Sequence, residues 1–350
     1  MKLGRAECDP YAGCRSIACA SMTRPRTCLV NPADTRWYHC ISRCVRRAFL
    51  CGVDRASDRN FEHRRAWVTD RLLELNELFA IDLAAYAVMN NHYHLVVHLA
   101  PERAASWSDD DVLRRWNRLF KGPPLVTRYL EGQQTALDQS ELALMKEFAS
   151  VFRQRLQSLS WYVRLLNESI SRRANEEDNC SGRFWEGRFK SQALLDEAAV
   201  LSAMIYVDLN PVRAGMVDTL DGSVHTSIHA RLQSIRESSS ENFLMPFDAT
   251  RRKASAIPFG LDDYIALAEW TGQQQHPDKR GAIAQTSPPI LKRLGLSQET
   301  FFSMSGQMLK KFGSAIGLPG SMIDHCARRE LKYLRGVATV QRADVERTKC

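Results

Sequence analysis

Met89-Asn90-Asn91-His92-Tyr93-His94-Leu95-Val96-Val97-His98-Leu99 is the stretch that decides the fold. Beyond the two asparagines the side chains alternate with period two, as they do along a strand. One face carries Tyr93, Leu95, Val97 and Leu99, all suited to a core. The other carries His92, His94, Val96 and His98. Imidazoles about 7 Å apart on a strand can converge on one metal ion. His98 shares their face but lies about 13 Å beyond His94, outside that reach.

Working outward, residues 81–89 form a preceding strand, and Asn90-Asn91 makes the tight turn of an antiparallel pair. Residues 35–50 open with Trp37-Tyr38-His39-Cys40-Ile41, aromatic and β-branched content typical of a strand. Between them, Trp67, Leu72, Leu75, Leu78 and Phe79 recur near helical spacing over residues 61–80. Strand, helix, strand, strand is how a ferredoxin-like or related α+β sandwich begins. Residues 102–156 interrupt it with Asp109-Asp110-Asp111, Gly122-Pro123-Pro124 and mixed helical segments, read as a helical insertion. Leu159, Val163, Leu166 and Ile170 stripe a further helix over 157–175. A loop and strand occupy 176–193, and a helix over 196–210 is capped by Asp196 and stopped by Pro211.

The expected class is α+β with a mainly antiparallel sheet. The expected organisation is a disordered N-terminal tail over 1–29 and a core over 30–235 containing the insertion. A linker region over 236–289 and a helical C-terminal extension over 290–350 follow. Met22 offers an alternative beginning after a patternless stretch holding Cys8, Cys14 and Cys19.

Hydrophobic content of 44% and charged content of 25% fit a soluble globular protein. No apolar run could span a bilayer and the N-terminus lacks a signal-peptide core, so a cytoplasmic, membrane-free protein is expected. A net charge of +8 suits a polyanionic partner without requiring one. The spacing of Cys40, Cys44 and Cys51 is not that of a structural zinc knuckle, and they read as reduced thiols.

A second motif lies far downstream: Met204-Ile205-Tyr206-Val207-Asp208-Leu209-Asn210-Pro211-Val212-Arg213-Ala214-Gly215. On a helix, Tyr206 and Asn210 sit one turn apart on one face. Taken alone, the pair reads as a tyrosine at a core margin and an asparagine ending a helix. Beside the histidines it reads differently. A phenol is a weak nucleophile that must be activated or given a good electrophile. A divalent cation held by two imidazoles and an amide oxygen polarises a phosphodiester. Attack by the phenol then leaves a phosphotyrosine and a free hydroxyl on the other fragment, and rejoining needs no nucleotide cofactor.

These motifs resemble the single-tyrosine HUH transposases, most closely the REP-associated tyrosine transposases. The matching blocks are Trp37-Tyr38-His39, the stretch from Val88 to Val96, Ser181-Gly182-Arg183-Phe184-Trp185-Glu186-Gly187-Arg188-Phe189-Lys190-Ser191, and the block from Tyr206 to Gly215. They cover roughly residues 30–220 in the family's order, interrupted by the insertion. The resemblance implies a ferredoxin-like HUH nuclease core that cuts and rejoins single-stranded DNA, often at hairpin-forming ends. It implies Tyr206 as nucleophile forming a 5′-phosphotyrosine, with His92, His94 and Asn210 as ligands of Mg²⁺ or Mn²⁺. Asn90 departs from a common proline, and Tyr93 from the usual aliphatic between the two histidines. Tyr93 is a rival nucleophile, which period two turns away from the histidine face.

Arg183, Trp185, Arg188, Lys190 and Arg213 are the DNA-contacting expectation: cations for phosphates, an aromatic face for an unpaired base. The competing reading puts Phe184 and Trp185 in the core and the charges at its rim. Arg213 can instead satisfy carbonyls at a helix C-terminus. Arg43, Arg46 and Arg47 are weaker candidates. A homodimer is left open. Two other functions stay in view, a catalytically idle DNA-binding regulator derived from such an enzyme and a zinc hydrolase. The hydrolase would need an acidic base beside the metal, and no H-E-x-x-H motif is present.

Overall fold

The computed structural model describes residues 25, 29–45, 49–54, 58–132, 137–238, 243–253, 255–275 and 288–339. All of the expected tail but Pro25 and Leu29 lies outside them, as do Arg46 and Arg47. Strand β1 (Trp37–Arg43) leads through a small ribbon, β2 (Val53–Asp54) and β3 (Arg59–Asn60), into α1 (Arg64–Leu78). The hairpin β4 (Ile81–Val88) and β5 (His92–Leu99) follows. Helices α2 (Pro101–Ser106), α3 (Asp109–Leu119), α4 (Pro124–Leu130) and α5 (Gln139–Leu156) fill the insertion. The core resumes with α6 (Leu159–Glu177), β6 (Lys190–Leu194) and α7 (Glu197–Asp208). Beyond it come α8 (Asn210–Arg213), α9 (Ser227–Arg236), α10 (Leu261–Gln275), α11 (Pro289–Arg293), α12 (Gln298–Gly306), α13 (Met308–Lys311), β7 (Ala315–Ile316) and α14 (Pro319–Arg328).

The five-stranded sheet runs β4-β5-β1-β6-β7. Its first four strands are antiparallel, and β7 pairs parallel to β6. The sheet is therefore mixed, and its parallel edge comes from a C-terminal region expected to be purely helical. Residues 236–289, expected as linker, contain α10, whose Tyr264, Leu267 and Ala268 are buried.

The two faces of the sheet carry different chemistry because alternation separates them. Tyr38, Cys40, Tyr93 and Leu95 are buried on one face. There the Tyr93 hydroxyl donates to Asn167 Oδ1 of α6 at 2.6 Å, and Asn167 Nδ2 donates to Ser42 Oγ at 3.0 Å. Helix α1 packs beside α6, burying Val68, Leu72, Leu75 and Leu78 at helical spacing. The opposite face, with His39, His92 and His94, receives α7.

Helix α7 has the sequence Glu-Ala-Ala-Val-Leu-Ser-Ala-Met-Ile-Tyr-Val-Asp, apolar nearly all round, the pattern of a helix covered on every side. The sheet covers one side, and α10 and α12 pack against it too. Only Glu197 and Tyr206 of this helix escape full burial. Asp196 caps its start, accepting from Ala199 N at 2.8 Å, and also accepts from Leu318 N at 2.7 Å just beyond β7. At its end the buried Asp208 carboxylate accepts from the Ser227 and Tyr264 hydroxyls, and from Ile228 N at 3.0 Å. Burial in apolar surroundings raises the Asp208 pKa against those three donors. Both ends of the tyrosine helix are thus tied to segments beyond residue 220.

Candidate functional site

The register of β1 against β5 pairs Ile41 with His94 and Arg43 with His92. His39 stands one step further along β1 on the same face, diagonal to His94. Its Nε2 lies 2.9 Å from His94 Nδ1, and the two rings stack at 5.2 Å with planes 9° apart. The His92 ring meets His94 edge-on at 4.8 Å. Tyr206 descends from α7 onto this cluster. Its ring centroid lies 5.4 Å from that of His94 and 5.7 Å from that of His39, edge-on to both. The tyrosine and the histidines, far apart in the chain, therefore meet on one face of the sheet.

The environment holds the imidazoles neutral. Both His39 and His94 are 0% exposed. Burial pushes His39 and His92 down to about 4 and His94 well below the ordinary histidine value. Neutral rings are the form that ligates metals. His92 Nδ1 lies 2.7 Å from Asn91 Oδ1, so its Nδ1–H is donated there and its Nε2 carries the lone pair. His94 Nε2 is buried without a partner. An orphaned buried acceptor costs about 1–3 kcal/mol, so stability alone gives no reason to keep it. A lone pair beside a second imidazole is what a cation site requires. Among the described residues no group of three or more His, Cys, Asp or Glu is placed to hold a metal ion. Any cation here would have to complete its coordination with an amide oxygen, water or a substrate oxygen. The donor set therefore fits a divalent cation with open positions.

Burial raises the Tyr206 pKa, opposed first by Arg213 and then by a hydrogen bond with Asn210. The Arg213 guanidinium sits 4.8 Å from the Tyr206 ring centroid and donates to Ile205 O at 3.4 Å. It thus serves helix carbonyls and the tyrosine together. Burial lowers the Arg213 pKa to about 10. Asn210 opens α8, one turn after Tyr206 and in contact with its hydroxyl.

Tyr93 lies across the sheet from this cluster, fully buried and bonded to Asn167. His98 pairs with Asp82 at 3.2 Å, away from the other histidines. Of the expected DNA contacts, Arg183, Arg188 and Lys190 are exposed. Trp185 needs correction. It is 8% exposed, packs edge-on against Tyr93 at 5.6 Å and donates its Nε1–H to Asn167 O at 2.9 Å. Its faces belong to the core and offer no platform to a base. Cys40, Cys44 and Cys51 are buried, and burial raises the Cys44 and Cys51 thiols to about 11 and about 12, which makes them unreactive.

Two members of the cluster are absent from the sequence-based set. His39 is one. Gln192, opposite it in the β1–β6 register, is the other. The signal for His39 is its alternation with Trp37 and Ile41, which places it on the same face as the β5 histidines once the strands are paired.

No family model matches the chain, and no curated protein does. A solved structure described as the REP-associated tyrosine transposase bound to a REP hairpin aligns at 11% identity, over 63% of this chain and 89% of that one, with a TM-score of 0.33. Similarity of this degree assigns neither fold nor activity. Among the described residues no helix is long and apolar enough to cross a membrane.

Proposed function

We propose that this protein is a metal-dependent, single-tyrosine DNA strand transferase of the HUH type. The observation that carries the reading is the convergence of Tyr206 with His94 on one face of the sheet, with His92 against His94. The sequence blocks at Trp37–His39, Val88–Val96, Ser181–Ser191 and Tyr206–Gly215 support it. So does the order of the first four strands, β4-β5-β1-β6, around the β-α-β-β-α-β succession of a ferredoxin-like core.

His92, His94 and Asn210 would hold the cation. Bound there, Mg²⁺ or Mn²⁺ supplies Lewis acidity to a phosphodiester. The chain's own groups do the rest. The Tyr206 oxygen forms a bond to phosphorus as its proton leaves, and the bond from phosphorus to the 3′ oxygen breaks. That oxygen takes up a proton and departs as a free 3′-hydroxyl, leaving a 5′-phosphotyrosine. Arg213 opposes the desolvation that would keep the phenol protonated. The reverse attack by a 3′-hydroxyl rejoins the strand and regenerates the tyrosine. Exposed Arg183, Arg188 and Lys190 provide phosphate contacts for single-stranded DNA, including hairpin-forming ends.

The test is incubation with Mn²⁺ and single-stranded oligonucleotides that carry hairpins. Metal-dependent cleavage, abolished by chelator, is expected. Binding without cleavage across such a set would support the idle-regulator reading instead.

A further inference from the structure

We infer that Arg65, acting through Asn90, is a positioning residue that holds His92 in place at the turn end of the β4–β5 hairpin. Of the two histidines proposed as ligands, His92 is the one the sheet does not fix by itself. His94 is flanked on both sides, by Ala87 of β4 and Ile41 of β1. His92 faces Arg43 of β1, but on the β4 side the ladder ends one residue earlier, at Val88 and Tyr93. Its carbonyl accepts instead from Met89 N at 2.8 Å, inside the turn. Its ring meets the turn too, since His92 Nδ1 lies 2.7 Å from Asn91 Oδ1. Where Met89, Asn90 and Asn91 sit therefore decides where His92 sits.

The first turn of α1 supplies the anchor. Arg65 is 4% exposed, and its guanidinium fork spans the hairpin turn. Nη1 donates to Val88 O at the end of β4, and Nη2 donates to Asn90 Oδ1 at 2.7 Å. Nε donates to Glu62 Oε1 at 2.6 Å, which balances the charge and sets the plane of the fork. Donors in fixed directions tie two acceptors together in a way that an ammonium cannot copy. A guanidinium only donates, so it also settles which end of the Asn90 amide faces it. That carboxamide lies against Gly52, where φ is +89° and a Cβ would come within 3.2 Å of Asn90 Cγ and Oδ1. Backbone bonds close the turn around it: Cys51 N donates to Asn90 O and Cys44 N to Asn91 O, both at 2.9 Å. The two asparagines thus have separate tasks, Asn90 answering to Arg65 and Asn91 to His92.

The clamp is a feature of this structure, whereas its consequence for metal binding rests on the proposed function. The test uses the full-length, DNA-free protein and two readouts. Asn90 is exposed, so Asn90→Leu removes the acceptor without touching the core. Asn90→Asp keeps an acceptor for the guanidinium, and Arg65→Lys keeps the charge but loses the fork. Amide hydrogen exchange reports on the turn through Met89, Cys44 and Cys51. Exchange there is expected to quicken by about tenfold or more in Asn90→Leu and Arg65→Lys, and to stay as in wild type in Asn90→Asp. Amides deeper in the hairpin, around Tyr86 and Leu95, should not change.

Mn²⁺ titration by electron paramagnetic resonance is the second readout. Weakening of roughly tenfold, the low end for loss of an outer partner, is expected in Asn90→Leu and Arg65→Lys, with wild-type affinity in Asn90→Asp. The double variant should lose less than the two single losses combined, because both act through one contact. Unchanged exchange at the turn amides in both variants overturns the inference. So does faster exchange spread evenly along β5, or wild-type Mn²⁺ affinity once the turn has loosened. If the turn behaves as expected but the wild type binds no Mn²⁺, the clamp on His92 stands and the metal-dependent reading falls.

Discussion

The ring of Tyr206 stands edge-on to that of His94, centroids 5.4 Å apart and planes at 83°. Tyr93, adjacent to His94 in sequence, is on the other side of the same sheet. The two tyrosines therefore make opposite predictions. Tyr206→Phe removes one hydroxyl contact at a partly exposed position, so a change in stability under about 1 kcal/mol is expected. DNA binding should persist while strand cleavage is lost. Tyr93→Phe leaves buried Asn167 Oδ1 without its donor and should cost about 1–3 kcal/mol, with cleavage retained. Chemical denaturation and a cleavage assay on both variants check the pair.

The fate of the phenol proton depends on Arg213. Its guanidinium lowers a Tyr206 pKa that burial raises. Arg213→Met removes the cation and keeps an unbranched apolar stem over the ring. The phenol pKa should rise further, so the pH–rate profile for cleavage is expected to move to higher pH. An unshifted profile would remove Arg213 from this role.

Much of this site was legible in the primary structure, and its limits have physical reasons. β5 and α1 read out because their apolar positions repeat at periods two and near 3.6. His92, His94 and Tyr206 came with them. His39 did not, because its place depends on the register pairing Ile41 with His94, which alternation within one strand does not encode. Trp185 flanked by arginines suits a DNA track or a core rim equally, and only the packing of Tyr93 and Asn167 decides between them. β7 spans two residues, too few for any periodicity. The burial of α10 depends on Tyr264 reaching Asp208 in a distant helix.

Acid should weaken the folded state through the histidines. His39 and His92 fall to about 4 in the folded chain from an ordinary 6.5. Below pH about 6.5 the unfolded chain takes up protons that the folded chain refuses until about 4, so stability declines as pH falls through that window. Above it the contribution is complete. Urea midpoints at pH about 7.5 and about 5 should differ, and by less in His39→Phe than in wild type.

The C-terminal segment holds the start of α7. A Cβ at Gly317 would approach Asp196 Oδ2 at 2.8 Å and Leu195 Cβ at 3.1 Å. Gly317→Ala should therefore disturb the carboxylate that caps α7 and cost about 1–3 kcal/mol by overpacking. Asp196→Ala removes the cap itself, at about 0.5–2 kcal/mol. Because both act through one carboxylate, the double variant should lose less than the sum of the two. Thermal denaturation of the four proteins tests this.

The most direct measurement is mass spectrometry of the protein after reaction with single-stranded hairpin DNA and Mn²⁺, followed by nuclease and protease digestion. A nucleotide remnant on the peptide containing Tyr206, linked through the phenol oxygen to a 5′-phosphate, is the expected result. A remnant on Tyr93 or any other residue, or cleavage that leaves no protein-bound nucleotide, would contradict it.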